Sequence, residues 1–167
     1  VQPCDTEAAK ADCLEPTMDA EYYVEQAHLY FNTMDTAEDR SIHPQYSTLV
    51  VRWEWPPWLL LTAFGRDHIL STDALLRAYP STIPDRDCRF FEEQPFARCR
   101  VMFFYDDPEH EGRGCPIYEE FAFNDAGEMT FIEAWSDIEG LRPHTDLEDR
   151  WAEKPGTVNR LSTRVPG

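Results

Sequence analysis

The stretch Ile117-Tyr118-Glu119-Glu120-Phe121-Ala122-Phe123, continued by Asn124-Asp125-Ala126-Gly127 and then by Glu128-Met129-Thr130-Phe131-Ile132-Glu133-Ala134-Trp135-Ser136, reads as two β-strands joined by a tight turn. Its arms are rich in β-branched and aromatic residues and repeat with period two. Its connector ends in Gly127, which takes positive φ without a Cβ penalty. Alternation puts Glu119 on one face with Ile117, Phe121 and Phe123, whereas Glu120 shares the other with Tyr118, Ala122 and Asn124.

Outward from this hairpin the same period recurs at 86–91 and 96–105, so the spacing predicts four consecutive strands in an antiparallel meander, with 106–114 as a long polar loop. Further upstream, Ala20, Tyr23, Val24, Ala27, Tyr30, Phe31 and Met34 recur at helical spacing behind Thr17 and Asp19, either of which can cap. A strand is expected over 47–55, stopped by Pro56-Pro57. A second helical region is expected over 66–78, opened by Gly65 and offered an internal cap by Ser71. Beyond Asp137 the chain is polar and proline-rich with Trp151 as its one large anchor, a tail expected to lie on the outside. The order is α+β: a polar leader at 1–17, one domain at 18–138 whose strongly curved antiparallel sheet wraps a long N-terminal helix, and a tail at 139–167.

At 167 residues, one core is expected. The 15 basic against 32 acidic residues give a net charge of −17, which repels phosphate backbones and anionic membrane surfaces, so nucleic acid is an unexpected partner. No apolar run approaches the roughly 18 residues that a membrane helix needs. Val1-Gln2-Pro3-Cys4 reads like a mature end left by signal-peptide removal, or like a trimmed chain, and a secreted or luminal setting is expected. Cys4 and Cys13 are expected to pair in the polar leader, and one more bridge is open among Cys88, Cys99 and Cys115. No CxxC or HxxxH spacing announces a metal, and no glycine-rich phosphate loop or GxSxG announces a cofactor or a hydrolase.

Among side chains that carry chemistry, Glu119 is a carboxyl set among apolar neighbours. Desolvation raises such a pKa and suits a general acid, unless an Arg such as Arg98 or Arg100 pairs with it. Tyr30 is either a buried anchor or a donor to a substrate oxygen. His28 and His68 titrate near neutrality and can shuttle protons or serve packing and hydration. Trp53, Trp55, Trp58 and Phe64 supply an aromatic wall that is either plain core or a cup for a flat ligand, with Phe121 and Ile132 beside it.

Tyr118 to Gly127 with Ile132-Glu133-Ala134-Trp135, Gly65-Arg66-Asp67-His68-Ile69, and Tyr30 with Asp35 together resemble ketosteroid isomerases and SnoaL-like polyketide cyclases, members of the nuclear transport factor 2-like superfamily. The resemblance covers roughly residues 20–138. It implies a cone-shaped fold with a hydrophobic pocket, a homodimer, and a cofactor-independent isomerase, cyclase or dehydratase acting on a hydrophobic small molecule. It places Glu119 where the isomerases hold their hydrogen-bonding strand acid and Tyr30 at the oxyanion-hole tyrosine. It departs at the proton-abstracting Asp, whose position is taken by Trp55. Glu54 stands one residue away, which alternation turns to the opposite face. A secreted, non-catalytic module that holds a small apolar ligand in the same pocket is the alternative.

Overall fold

The computed structural model describes residues 14–57, 62–144 and 146–153, so the expected Cys4–Cys13 bridge and Trp58 lie outside the described residues. Helix α1 (Ala20–Met34) is followed by β1 (Tyr46–Glu54), β2 (Ala63–Phe64), α2 (Arg66–Leu76), β3 (Ser81–Phe90), β4 (Ala97–Tyr105), β5 (Gly114–Phe123), β6 (Met129–Ser136) and α3 (Leu147–Glu153). The fold is α+β with one six-stranded, curved and unclosed sheet in the order β2-β1-β6-β5-β4-β3.

From β3 to β6 the strands pair antiparallel in chain order. Strand β1 instead joins β6 in parallel, so the sheet is mixed rather than wholly antiparallel. The cause is connectivity: β1 is separated from β6 by one helix and four strands, and only an edge beside the last strand is left for it. β3 begins at Ser81, five residues earlier than the periodicity suggests, because a register shift between Thr82 and Asp85 breaks the alternation there.

Helix α1 buries Tyr23, Val24, Ala27, Tyr30, Phe31 and Met34, the stripe its spacing announces. Its N-terminal end is tied to the β5–β6 turn: the Tyr22 hydroxyl donates to the Gly127 carbonyl at 2.7 Å, and the Tyr23 hydroxyl accepts from the Thr17 and Met18 amides. Gly127 has φ +76°, and a Cβ there would stand 2.8 Å from Met18, so both backbone and space call for glycine. Its C-terminal end is locked to β3 by Asp35, whose carboxylate takes the Ile83 amide at 3.0 Å and the Arg86 guanidinium at 3.1 Å. Asp35 is thus a structural clamp.

The sheet is covered on both faces. On the inner face lie α1 and the main core, including Phe96, Phe103, Phe121, Phe123, Met129 and Ile132. On the outer face a smaller cluster gathers Phe91, Tyr118, Leu147 and Trp151. Helix α3 is held there by Trp151, whose indole donates to Asp87 at 3.0 Å under the Arg89 guanidinium, and by Glu148, which pairs with Arg100.

Among the cysteines of the sheet, Cys88 and Cys99 are directly opposite in β3 and β4 and form a disulfide, while Cys115 is free. The bridge is compatible with an oxidising compartment. No helix among the described residues is long and apolar enough to cross a membrane.

Candidate acid–base site inside the sheet

Residues paired across neighbouring strands point to the same face, so the register can be read laterally. One row runs Glu54, Ala134, Glu119, Cys99, Cys88 across β1, β6, β5, β4 and β3, all buried on the inner face. The next inner row runs Arg52, Ile132, Phe121, Ala97, Phe90. Between these rows and the helices a polar group assembles inside an otherwise apolar core.

Arg52 stands at its centre, 1% exposed, with Nη2 donating to Asp73 Oδ1 of α2 at 2.8 Å and its guanidinium 4.9 Å over the Tyr30 ring of α1. Glu119, 2% exposed, and Tyr46 of β1 complete the group with Glu54. Several of these polar atoms have no hydrogen-bonding partner in the protein: Arg52 Nε and Nη1, Asp73 Oδ2, Glu119 Oε2, and the hydroxyls of Tyr30 and Tyr46. The Tyr30 hydroxyl lies within side-chain hydrogen-bonding reach of Glu119, and the Tyr46 hydroxyl within reach of Arg52, each pair short of ideal geometry. An orphaned buried polar group costs about 1–3 kcal/mol.

The electrostatics follow from burial. Desolvation pushes the Glu119 carboxyl up to about 8, with Glu54 and Asp73 adding to the rise and Arg52 and Tyr30 opposing it. Burial likewise drives the Tyr30 hydroxyl well above the usual phenol range, opposed by Arg52 and reinforced by Glu119. Toward the rim, Tyr105 is pushed up to about 12 by burial, then by Cys115 and Glu54. At pH 7 a carboxyl titrating near 8 keeps its proton in roughly nine molecules of ten. The interior therefore pairs a protonated acid with hydroxyl and guanidinium donors.

Of the residues singled out from sequence, Glu119, Tyr30, Phe121 and Ile132 converge here, Tyr30 meeting Phe121 edge to face at 5.0 Å. His28 is buried on α1, its carbonyl accepting from Arg86. The remaining ones are elsewhere. Trp53 and Trp55 point to the outer face, where Trp55 is 43% exposed, donates to Glu133 at 2.9 Å and lies parallel to Trp135 at 6.4 Å. Phe64 is exposed, and His68 accepts the Phe64 amide on the surface at the start of α2. These four do not line the interior, because β1 turns Val50, Arg52 and Glu54 inward and alternation sends its indoles out. Nor does Arg98 or Arg100 neutralise Glu119: both lie on the outer face, Arg98 opposite Glu120 and Arg100 bound to Asp137 and Glu148. Glu119 faces Arg52 instead.

Arg52, Asp73 and Tyr46 were not singled out from sequence, and Glu54, expected on the face opposite the pocket, lies on the inner face instead, with Trp55 outside. For the first the signal was present: in Val50-Val51-Arg52-Trp53-Glu54 an arginine shares its face with a valine and a glutamate, and only the choice of inner face was missing. Asp73 carried none, since its partner is 21 residues away.

No family model matches the sequence, and no curated protein matches it. Among solved structures, the chain is similar to a cystatin-like fold protein of unknown function from Methylobium petroleophilum PM1, at 16% identity and a TM-score of 0.56, over 91% of this chain and 100% of that one. At that identity the likeness is one of fold.

Proposed function

We propose that the interior group is the active site of a cofactor-independent acid–base enzyme, an isomerase, cyclase or dehydratase that moves a proton on a hydrophobic small molecule. The observation that carries the reading is the juxtaposition of the Glu119 carboxyl and the Tyr30 hydroxyl, both fully sheltered and adjacent to each other. A carboxyl that holds its proton near pH 8 delivers it to a substrate oxygen or carbon and recovers one from a neighbouring carbon. The Tyr30 hydroxyl donates to the oxygen on which negative charge gathers, and the low dielectric of the core strengthens that bond. The wall of indoles has no part in this reading; Phe121, Ile132, Met34 and Ile69 supply the apolar surface.

The cone shape, a place in the nuclear transport factor 2-like superfamily, a secreted or luminal setting and a homodimer belong to the same proposal. The cystatin-like neighbour supports the first two at the level of fold, and the Cys88–Cys99 bridge supports the third.

The test is deuterium exchange into the α-position of a hydrophobic cyclic ketone in D2O, followed by proton NMR. The wild-type chain accelerates exchange, Glu119→Gln lowers the rate about 10²–10⁴-fold and Tyr30→Phe about 10²-fold. Acceleration unchanged in both variants overturns the assignment. A chain that retains an apolar ligand in native mass spectrometry yet exchanges nothing is a binding module.

A further inference from the structure

The outer face of the sheet, which the proposed chemistry does not use, carries a concentration of indoles at the end of β1. Trp53 and Trp55 point outward there, and Trp135 of β6 stands beside them. The Trp55 and Trp135 rings are parallel, 8° apart with centroids at 6.4 Å, whereas Trp53 meets Trp55 nearly at right angles, 76° at 6.1 Å. Two parallel indoles with a third set across them make a corner rather than a flat patch. Trp55 is 43% exposed and Trp53 and Trp135 are half-buried, so the corner is open to solvent.

A carboxylate stands within it. Glu133 is opposite Trp53 in the β1–β6 register, its Oε2 accepts the Trp55 indole N–H at 2.9 Å, and Trp135 shares its face two residues on. The acids around it have cations: Glu120 has His144 at 3.4 Å, Asp87 has Arg89, and Asp137 and Glu148 have Arg100. Glu133 has no such partner among the described residues. Its lateral neighbour on β5 is a second acid, Glu120, and Arg98 lies beyond that, over the Phe91 ring.

We propose that this corner binds a small quaternary ammonium compound, its trimethylammonium head against the indole faces and its charge met by Glu133. Indole faces are the strongest ring partners for a cation, which they attract through their quadrupole. A quaternary head carries no N–H, so it asks the indoles for no acceptor. A primary ammonium is strongly hydrated and finds there a single carboxylate whose Oε2 is already engaged. The chain's charge of −17 draws cations in general, and the indole corner selects among them. The site lies on the face opposite Glu119, so it stands or falls independently of the interior.

The test compares choline, its uncharged isostere 3,3-dimethylbutan-1-ol, and ethanolamine, which share a hydroxyethyl tail. Each is titrated into the full chain by proton NMR at matched ionic strength, which equalises general attraction to the acidic surface for the two cations. Choline binds about tenfold more tightly than either of the others, and its methyl singlet moves upfield under the ring currents of the indoles. Trp55→Leu lowers choline affinity about tenfold, and Glu133→Gln, which keeps an acceptor for the Trp55 indole, lowers it about threefold. Circular dichroism checks that both variants fold; where Trp55→Leu does not, Glu133→Gln and the wild-type ranking decide. An isostere that binds as tightly as choline overturns the inference by making the corner a plain apolar patch, and ethanolamine that does so reduces it to charge attraction. Choline that fails to bind, binding without the upfield shift, or affinity unchanged in the folded variants also overturns it. So does self-association of the chain that Trp55→Leu abolishes, which makes the corner an interface between copies.

Discussion

Glu119 and Glu54 stand in one lateral row of the sheet with only Ala134 between them, two carboxyls on the same sheltered face. Glu54 raises the pKa of Glu119, after the larger effect of burial, and that has a consequence for stability. With the folded value near 8 and the ordinary glutamate value 4.5, the native chain holds a proton that the unfolded chain has shed across this interval. The contribution of the neutral acid is complete below about pH 4.5 and is lost as pH rises through about 8. Glu119→Gln stays neutral throughout, so relative to wild type it gains stability with rising pH, on the order of 4 kcal/mol between pH 4.5 and 9. Urea unfolding of both chains across that range measures it, and parallel pH curves contradict it.

The Arg52–Asp73 pair is sealed in the core, so removing one member strands the other. Arg52→Met alone leaves a buried Asp73 carboxylate without its cation and costs about 3–5 kcal/mol in chemical denaturation. Arg52→Met/Asp73→Leu recovers most of that loss. A double variant no more stable than the single one is the contrary result.

Cys88 and Cys99 close a loop of 11 residues between adjacent strands. Cys88→Ala/Cys99→Ala lowers the free energy of unfolding by about 2–4 kcal/mol, and reduction of the wild-type chain under denaturing conditions has the same effect on its refolding equilibrium. Alkylation followed by intact mass measurement reads the bridge itself: without reductant, Cys115 is labelled and Cys88 and Cys99 are not.

Period two in 115–136 was enough to place the hairpin, to seat Glu119 with Ile117, Phe121 and Phe123, and to aim it away from Glu120. The identity of the inner face was not legible in β1. A strand covered on one side shows its inner face by apolarity, but this sheet carries α1 on one side and α3 with Trp135 and Trp151 on the other. Both faces then recruit aromatics, so Trp53 and Trp55 looked like a cavity wall when they belong to the outer face, and Arg52, just before Trp53, was not singled out. Helix α3 escaped for a different reason. Its seven residues are too few to be helical by local preference, and it exists because Leu147 and Trp151 find Tyr118 and Phe91.

The account rests on a protonated carboxyl held in a sheltered, donor-rich interior. Carbon-13 NMR of the chain labelled at glutamate side-chain carboxyls, with the Glu119 signal assigned by its disappearance in Glu119→Gln, reads that proton directly. A midpoint near pH 8 is expected, falling in Glu54→Gln because a neighbouring negative charge is gone. A midpoint near 4.5, with no response to Glu54, contradicts it.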